Sequence, residues 1–529
     1  MGHHQTIQMY LYTKNYVNFQ IETAEGQILA DFTGATAAGK ALCGDIVMTT
    51  ADGCELVERT DHPPLVGILE FNSKVRYGFS VRGVPLYLFM PFNEAYPPML
   101  VASKETGREN CLAVAAFEHW DDGTFPRGGL VRILGLCGDI DVEKAAVALQ
   151  YSPWSWSNKT MPTELVYPSK EGRLILDKPT INIDPQGCID IDDTVSLWKE
   201  DGSNWNIAIN IADVAAFVAL NPSLKYAERL GQTLYSKTGR AVRPMFPARF
   251  SEDIFSLLPG EERFCVSLIG TWDGKTLKDL YWKETIVRNW AAYTYKNCNQ
   301  ATEIDIKVLM DIVGYLGYDV ADSHKWVEAL MVLYNTSAAE LLKKAGAGLL
   351  RTHDEPSKET LLQMKELGLP AKELAYPAAV YATTDARGGH WGLEKGIYCH
   401  ASSPIRRYAD ILNQTVIKSL LHGGAQDPSL YAKYAVSLNR LDKAAKAHGR
   451  DCLFIDCVLG APGVPVHGIV IEKDQKEKTS IYIADWKRSI RCRCTTVFAP
   501  GDRVLVGFYA NRLGRSWKKR MVYHVEKYR

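Results

Sequence analysis

The chain has 529 residues, enough for three or four domains by the usual size range. Apolar residues make up 46% and charged residues 23%, a globular balance that excludes wholesale disorder. Lys plus Arg equals Asp plus Glu at 61 each, so net charge neither selects nor excludes a polyanionic partner and only local charge is informative.

The 12 cysteines include no CxxC pair and no disulfide framework, which predicts a reducing compartment, cytoplasmic or nuclear, and not secretion. Cys492 and Cys494 read as two small apolar side chains on one strand face, not as a zinc site. Residues 1–5 lack a basic stretch followed by an apolar one, so no signal peptide is expected. No apolar run of about 18 residues exists, so no membrane span is expected.

In chain order, residues 1–60 hold short β segments at 9–12, 17–21, 26–30 and 44–48, with a turn at Asp52-Gly53; their spacing predicts a small β-barrel. The pattern restarts after Pro63-Pro64 with segments at 65–69, 78–81, 87–90 and 131–135, predicting a second barrel over 61–150. Residues 165–450 mix strands with long helical stretches such as 323–344 and 403–422, an α/β body. After Gly460-Ala461-Pro462-Gly463 the chain turns to β again over 460–529. No low-complexity tract and no fixed-period repeat occurs.

The segment Ile181-Asn182-Ile183-Asp184-Pro185-Gln186-Gly187-Cys188-Ile189-Asp190-Ile191-Asp192-Asp193 places four carboxylates within ten residues. Pro185 and Gly187 permit a turn, and isoleucines at 181, 183, 189 and 191 alternate with polar residues, predicting half-buried strands on both sides. Carboxylates this close repel unless a cation neutralises them, and hard oxygen ligands suit Mg²⁺ or Mn²⁺. The bland alternative is a calcium loop or solvated turn. A helix-loop-helix calcium loop wants Gly at its sixth and Glu at its twelfth position, and counting from Asp184 or from Asp190 supplies neither.

The second cluster is Tyr398-Cys399-His400-Ala401-Ser402-Ser403-Pro404-Ile405-Arg406-Arg407-Tyr408-Ala409-Asp410. Ser403-Pro404 reads as a helix start, which puts Arg406 in the first turn as an anion site, with Asp410 bracing it four residues on. An ordinary surface salt bridge is the competing reading.

Together the two segments resemble the signature motifs of the RNase II (RNB) exoribonuclease family, and within it the catalytic subunit of the eukaryotic RNA exosome and its cytoplasmic relatives most closely. The pattern D-P-x-G-C-x-D-I-D-D is met from Asp184 to Asp193, and Y-x-H-x-x-S-P-I-R-R-Y-A-D from Tyr398 to Asp410. Tyr235, Arg243-Pro244-Met245-Phe246-Pro247, Phe250-Ser251-Glu252, Ser256-Leu257-Leu258-Pro259, Arg263, Ala212-Asp213-Val214 and Thr294-Tyr295 also fit. Upstream, Val66-Gly67-Ile68-Leu69, Trp120, Pro126-Arg127-Gly128-Gly129 and the stretch from Leu134 to Asp139 resemble the family's second cold-shock barrel.

The resemblance implies two cold-shock OB barrels, an RNB α/β domain and a C-terminal OB barrel. It implies a processive, hydrolytic 3′→5′ exoribonuclease using two metal ions, Mg²⁺ or Mn²⁺, on single-stranded RNA. It assigns Asp184, Asp190, Asp192 and Asp193 to the metals, Asp192 and Arg406 to catalysis, and Tyr235, Tyr295, His400, Ser403, Arg406, Arg407 and Tyr408 to RNA. It also implies a monomeric catalytic unit, no membrane, and membership of an exosome-like or other RNA-decay complex. Taken alone, each tyrosine reads as a core residue.

Departures are visible. The first barrel begins almost at Met1, so the N-terminal endonuclease domain of the exosome subunit is expected to be absent. The 353–381 stretch is short, Ala347 falls near the base-clamping phenylalanine of the bacterial enzyme, Ala401 follows His400, and Gln414 stands for a usual histidine. From Lys487 to Arg529, twelve Lys or Arg face two acids, Asp502 and Glu526, with Phe498, Phe508, Tyr509, Trp517, Tyr523 and Tyr528 interleaved, a composition suited to single-stranded RNA. The rivals are a catalytically weak or inactive RNB-fold RNA-binding regulator and a two-metal DNA nuclease.

Overall fold

The computed structural model describes residues 8–200, 202, 204–369, 378–473, 478–494, 496–511 and 514–528. The first unit is a five-stranded antiparallel sheet of Tyr10–Thr13, Asn18–Glu22, Ile28–Thr33, Ile46–Thr50 and Gly53–Glu58, the last two packed beside the first. The second is a closed five-stranded barrel of Leu65–Leu69, Leu86–Pro91, Met99–Ala102, Cys111–His119 and Arg127–Leu136. Leu11, Phe19, Ile21 and Val47 of the first share one apolar core with Leu69, Phe89, Met99 and Val101 of the second.

A seven-stranded sheet forms the central body. Its spatial order is Leu174–Leu176, Leu277–Arg288, Glu262–Trp272, Trp205–Ala212, Asp193–Lys199, Thr180–Asp184 and Ala291–Thr294. Helices cover it, so its middle strands are buried on both faces and read as nearly continuous apolar runs. The polar residues inside pair across the strands: Thr180 with Ser196 (2.7 Å), Asn210 with Ser196 (2.8 Å), and Ser267 with both Asn210 and Thr285 (2.7 Å each). A slip by one residue would strand every one of these groups, so the ladder pins the register that carries the acidic loop.

The C-terminal unit is a five-stranded antiparallel sheet of Val466–Lys473, Lys478–Ile483, Arg488–Arg493, Arg503–Ala510 and Met521–Lys527. Helix Ile140–Tyr151, capped by Asp139, ties it to the second barrel. There Glu143, 2% exposed, accepts from Trp517 Nε1 (3.0 Å) and from Arg520 Nη1 (3.0 Å to Oε2), while the Arg520 guanidinium lies over Phe92 at 4.9 Å. Replacing Glu143 with Ala leaves a buried guanidinium without its counter-charge, held then by the Gly514 carbonyl, and an indole N–H without its acceptor. We expect a loss of about 3–5 kcal/mol in denaturant unfolding.

Several elements differ from the sequence expectation. The segment predicted as a strand at 78–81 is a tight turn with one bridge, Phe79 to Pro85, because Gly78 and Gly83 both take positive φ. Residues 185–192 are loop, not half-buried strand: Ile191 reaches the core, but Ile189 is exposed. The predicted helix over 403–422 begins only at Tyr408 and runs to Leu421, with Gly423 at φ +68 beyond its end. Ala347 is buried in the main core. The 353–381 stretch contains helix Lys358–Glu366, and 370–377 lie outside the described residues. Of the C-terminal aromatics, Phe498, Phe508 and Trp517 are core, whereas Tyr509 and Tyr528 are exposed. Composition revealed the aromatics but not the face each occupies. Cys492 and Cys494 lie with sulfurs 3.6 Å apart. Among the described residues no helix is long and apolar enough to cross a membrane.

Candidate active site

The acidic loop hangs between two strands of the central sheet. Thr180–Asp184 delivers Asp184 at its end, pairing in parallel with Ala291–Thr294, and Asp193–Lys199 receives Asp193 at its start. Between them Cys188 N–H bonds the Pro185 carbonyl (3.1 Å) and Gly187 sits at φ +83, closing a turn that a side chain there would strain. The Ser256 hydroxyl then staples the loop: it donates to the Ile189 carbonyl (2.8 Å) and accepts from Ile191 N–H (3.0 Å). Leu257 N–H bonds the Ile191 carbonyl (3.0 Å), and Ala212 N–H the Asp192 carbonyl (2.9 Å).

The four carboxylates have different surroundings. Asp184 accepts from Asn182 Nδ2 (2.9 Å). Asp190 accepts from the Tyr235 hydroxyl (2.9 Å). Asp192 is almost fully buried, its Oδ1 accepting from Ile405 N–H (2.8 Å) and its Oδ2 facing Arg406 Nε at 3.4 Å. Burial pushes its carboxyl up to about 7, against the pull of Arg406. Burial also raises Asp184, and raises Asp193 well above the carboxylate range, helped there by the charges of Asp184 and Asp192. Such mutual repulsion in a desolvated cluster is what a divalent cation relieves, and the all-oxygen donor set suits Mg²⁺ or Mn²⁺. Among the described residues, however, no three carboxylate, imidazole or thiol groups converge on one point, and Tyr235 holds Asp190.

The basic segment reaches the loop by a route the sequence did not show. Ser403–Arg407 is not helical beyond one turn. Gln232 bridges Arg407, Thr233 N–H bonds the Arg406 carbonyl (3.0 Å), and Asp192 captures Ile405 N–H. These tertiary bonds override the Ser-Pro helix-start signal, so Arg406 precedes the helix and is not in its first turn. Asp410 does not brace Arg406 either. It accepts two bonds from Arg407 (2.8 Å each) and one from Ser403 N–H (2.7 Å). Arg406 turns instead to Asp192 and to the Ser403 hydroxyl (3.1 Å), with 47% of its side chain exposed.

The other predicted RNA contacts divide. Tyr235 and Tyr295 flank the loop. Tyr295 stacks on His324 with centroids 3.7 Å apart, and burial followed by the charges of Asp184 and Asp193 pushes its hydroxyl to about 12. His400 is held by the Tyr381 hydroxyl (2.9 Å), and burial followed by Arg407 and Arg351 lowers its pKa well below the histidine range. Tyr408 is 3% exposed and packs in the core, so its side chain has no free face for a nucleotide. Gln414 clasps the Ala212 carbonyl (2.9 Å) and Ala215 N–H (3.0 Å), a structural bond across two elements. His324 carried no sequence signal, and Ser256 lay unremarked inside a recognised motif.

Comparison with known proteins identifies an RNB domain over residues 173–309 and 300–423 and a Dis3-like cold-shock domain 2 over 86–152. The probable exosome complex exonuclease RRP44 of Caenorhabditis elegans is 24% identical, covering 74% of this chain and 52% of the relative. Ribonuclease R of Vibrio cholerae is 26% identical, covering 72% and 57%. The chain thus spans about half the length of the curated relatives it matches. Among solved structures, Mycoplasma genitalium RNase R in complex with ribose-methylated single-stranded RNA aligns with a TM-score of 0.72 at 15% identity over 98% of this chain and 100% of that one. Yeast Ssd1, a pseudonuclease, aligns at 0.63 and 15% identity over 95% and 81%.

Proposed function

The chain belongs to the RNB family, and from that premise we propose that it is a processive hydrolytic 3′→5′ exoribonuclease releasing nucleoside 5′-monophosphates from single-stranded RNA. The observation that carries the reading is the junction of the two motifs, where Asp192 receives Ile405 N–H and faces a half-exposed Arg406.

Asp184, Asp190, Asp192 and Asp193 would hold the divalent metal, in the two-ion arrangement the family resemblance implies. Bound there, it supplies a water of lowered pKa and neutralises phosphate charge. The chain's own groups do the rest. Arg406 presents guanidinium N–H groups to the scissile phosphate, where developing charge is stabilised most. Tyr235 and Tyr295 offer ring faces to terminal bases, a contact indifferent to sequence, and His324 fixes the Tyr295 ring from behind. RNA preference rests on contacts to the 2′-hydroxyl. A monomeric catalytic unit and an exosome-like or other RNA-decay complex as protein partner belong to the same proposal; the name of the Caenorhabditis elegans relative gives an exosome complex for that protein.

A second reading is a non-catalytic RNA-binding regulator on this fold. The present spread of the carboxylates, with Asp190 held by Tyr235, favours it; the retention of all four aspartates opposes it.

Polarity and sugar preference separate the readings. We expect single-stranded RNA to be shortened from its 3′ end in Mg²⁺. We expect all-deoxy oligonucleotides to be spared and a chelator to stop the reaction, read on denaturing gels. Loss of a 5′-terminal label as mononucleotide at early times would contradict the assigned direction.

A further inference from the structure

Asp184 is bonded by Cys188 of the loop that follows it, and from behind by a relay of two buried amides. Asn182 lies two residues before it on the same strand, so both side chains project from one face. Asn182 Nδ2 donates to Asp184 Oδ2 at 2.9 Å. Asn182 Oδ1 in turn accepts from Asn289 Nδ2 at 2.8 Å, and the same Nδ2 donates to the Leu257 carbonyl at 2.8 Å. Asn182 is 3% exposed and Asn289 2%.

The direction of the chain is fixed by its far end. Asn289 Nδ2 faces two carbonyl acceptors, so exchanging its oxygen and nitrogen would set oxygen against oxygen twice. That orientation forces Asn182 to accept on its oxygen side, which leaves its N–H groups for Asp184. Among the described residues, no donor reaches the buried Asn289 Oδ1. Leu257, the anchor, also grips Ile191 by its N–H, and its neighbour Ser256 staples Ile189 and Ile191. One short segment therefore sets both limbs of the acidic loop.

We propose that Asn182 and Asn289 are positioning residues that aim the Asp184 carboxylate at the metal, an inference that rests on the reading of the acidic loop as a metal site. Groups that orient a ligand are worth about 10–100-fold in metal affinity.

The test is Mn²⁺ binding to the full chain by calorimetry, with free Mn²⁺ counted by electron paramagnetic resonance, for wild type, Asn289→Leu and Asn182→Val. Valine suits a buried strand, so the second variant serves if the first fails to fold. We expect the Mn²⁺ dissociation constant to rise about 10–100-fold. RNA affinity in EDTA and cooperative melting should be retained. An unchanged dissociation constant in a folded variant, with only the melting midpoint lowered, would reduce the relay to a structural role and overturn the proposal. No Mn²⁺ uptake by the wild type would sink the metal reading and the relay together.

Discussion

Replacing Arg407 with Ala is expected to destabilise the protein by about 3–5 kcal/mol, while replacing its neighbour Arg406 leaves the fold intact and lowers turnover about 10²–10³-fold. The adjacent arginines have opposite jobs. Arg407 makes two bonds to Asp410, a carboxylate with no exposure, which also holds Ser403 N–H. Without the guanidinium, a buried charge remains beside the Ser403 N–H, and the Ser403–Arg407 segment loses two of its bonds to the helix. Among the described residues, the Arg406 guanidinium pairs with Asp192, at 3.4 Å, and the Ser403 hydroxyl, and much of its side chain faces solvent. Its removal costs little structure but takes away the charged donor nearest the acidic loop. Chemical unfolding and single-turnover RNA cleavage, run on both variants, read the two effects apart. Equal loss of stability in both would contradict this division.

Asp192→Asn is expected to abolish RNA shortening, by at least about 10³-fold, with RNA binding retained. The amide can still accept from Ile405 N–H, so the local backbone survives. It cannot carry the negative charge that faces Arg406, nor serve as an anionic metal ligand. Burial already holds this carboxyl near 7, so the neutral side chain is tolerated by its surroundings. Binding measured by fluorescence anisotropy should be unchanged or slightly tighter, because one negative charge has left the path of the phosphates. A variant that cleaves at the wild-type rate would remove Asp192 from the chemistry.

How far the sequence went follows from where each contact is encoded. The acidic loop and the basic segment were legible because their chemistry is contiguous: four carboxylates within ten residues, and Arg406-Arg407 beside Asp410. The roles within the basic segment were not, because the Ser403-Pro404 signal describes an isolated helix start. Here Asp192 and the bridge from Gln232 hold those residues in a single turn that ends before the helix. The Asn289–Asn182 relay joins residues 107 positions apart through the pairing of Thr180–Asp184 with Ala291–Thr294, and no local pattern announces it. The basic, aromatic composition of the C-terminal sheet was readable. Which rings line its core depended on strand register, which composition does not contain.

The most direct test of the central reading is incubation of wild-type protein with 5′-labelled single-stranded RNA in Mg²⁺, resolved over time and with nucleotide products identified by chromatography. The reading predicts disappearance of full-length RNA to a short labelled end product, with nucleoside 5′-monophosphates released and no change in EDTA. RNA that stays full length while tightly bound, in both Mg²⁺ and Mn²⁺, would contradict it and leave an RNA-binding regulator on the same fold.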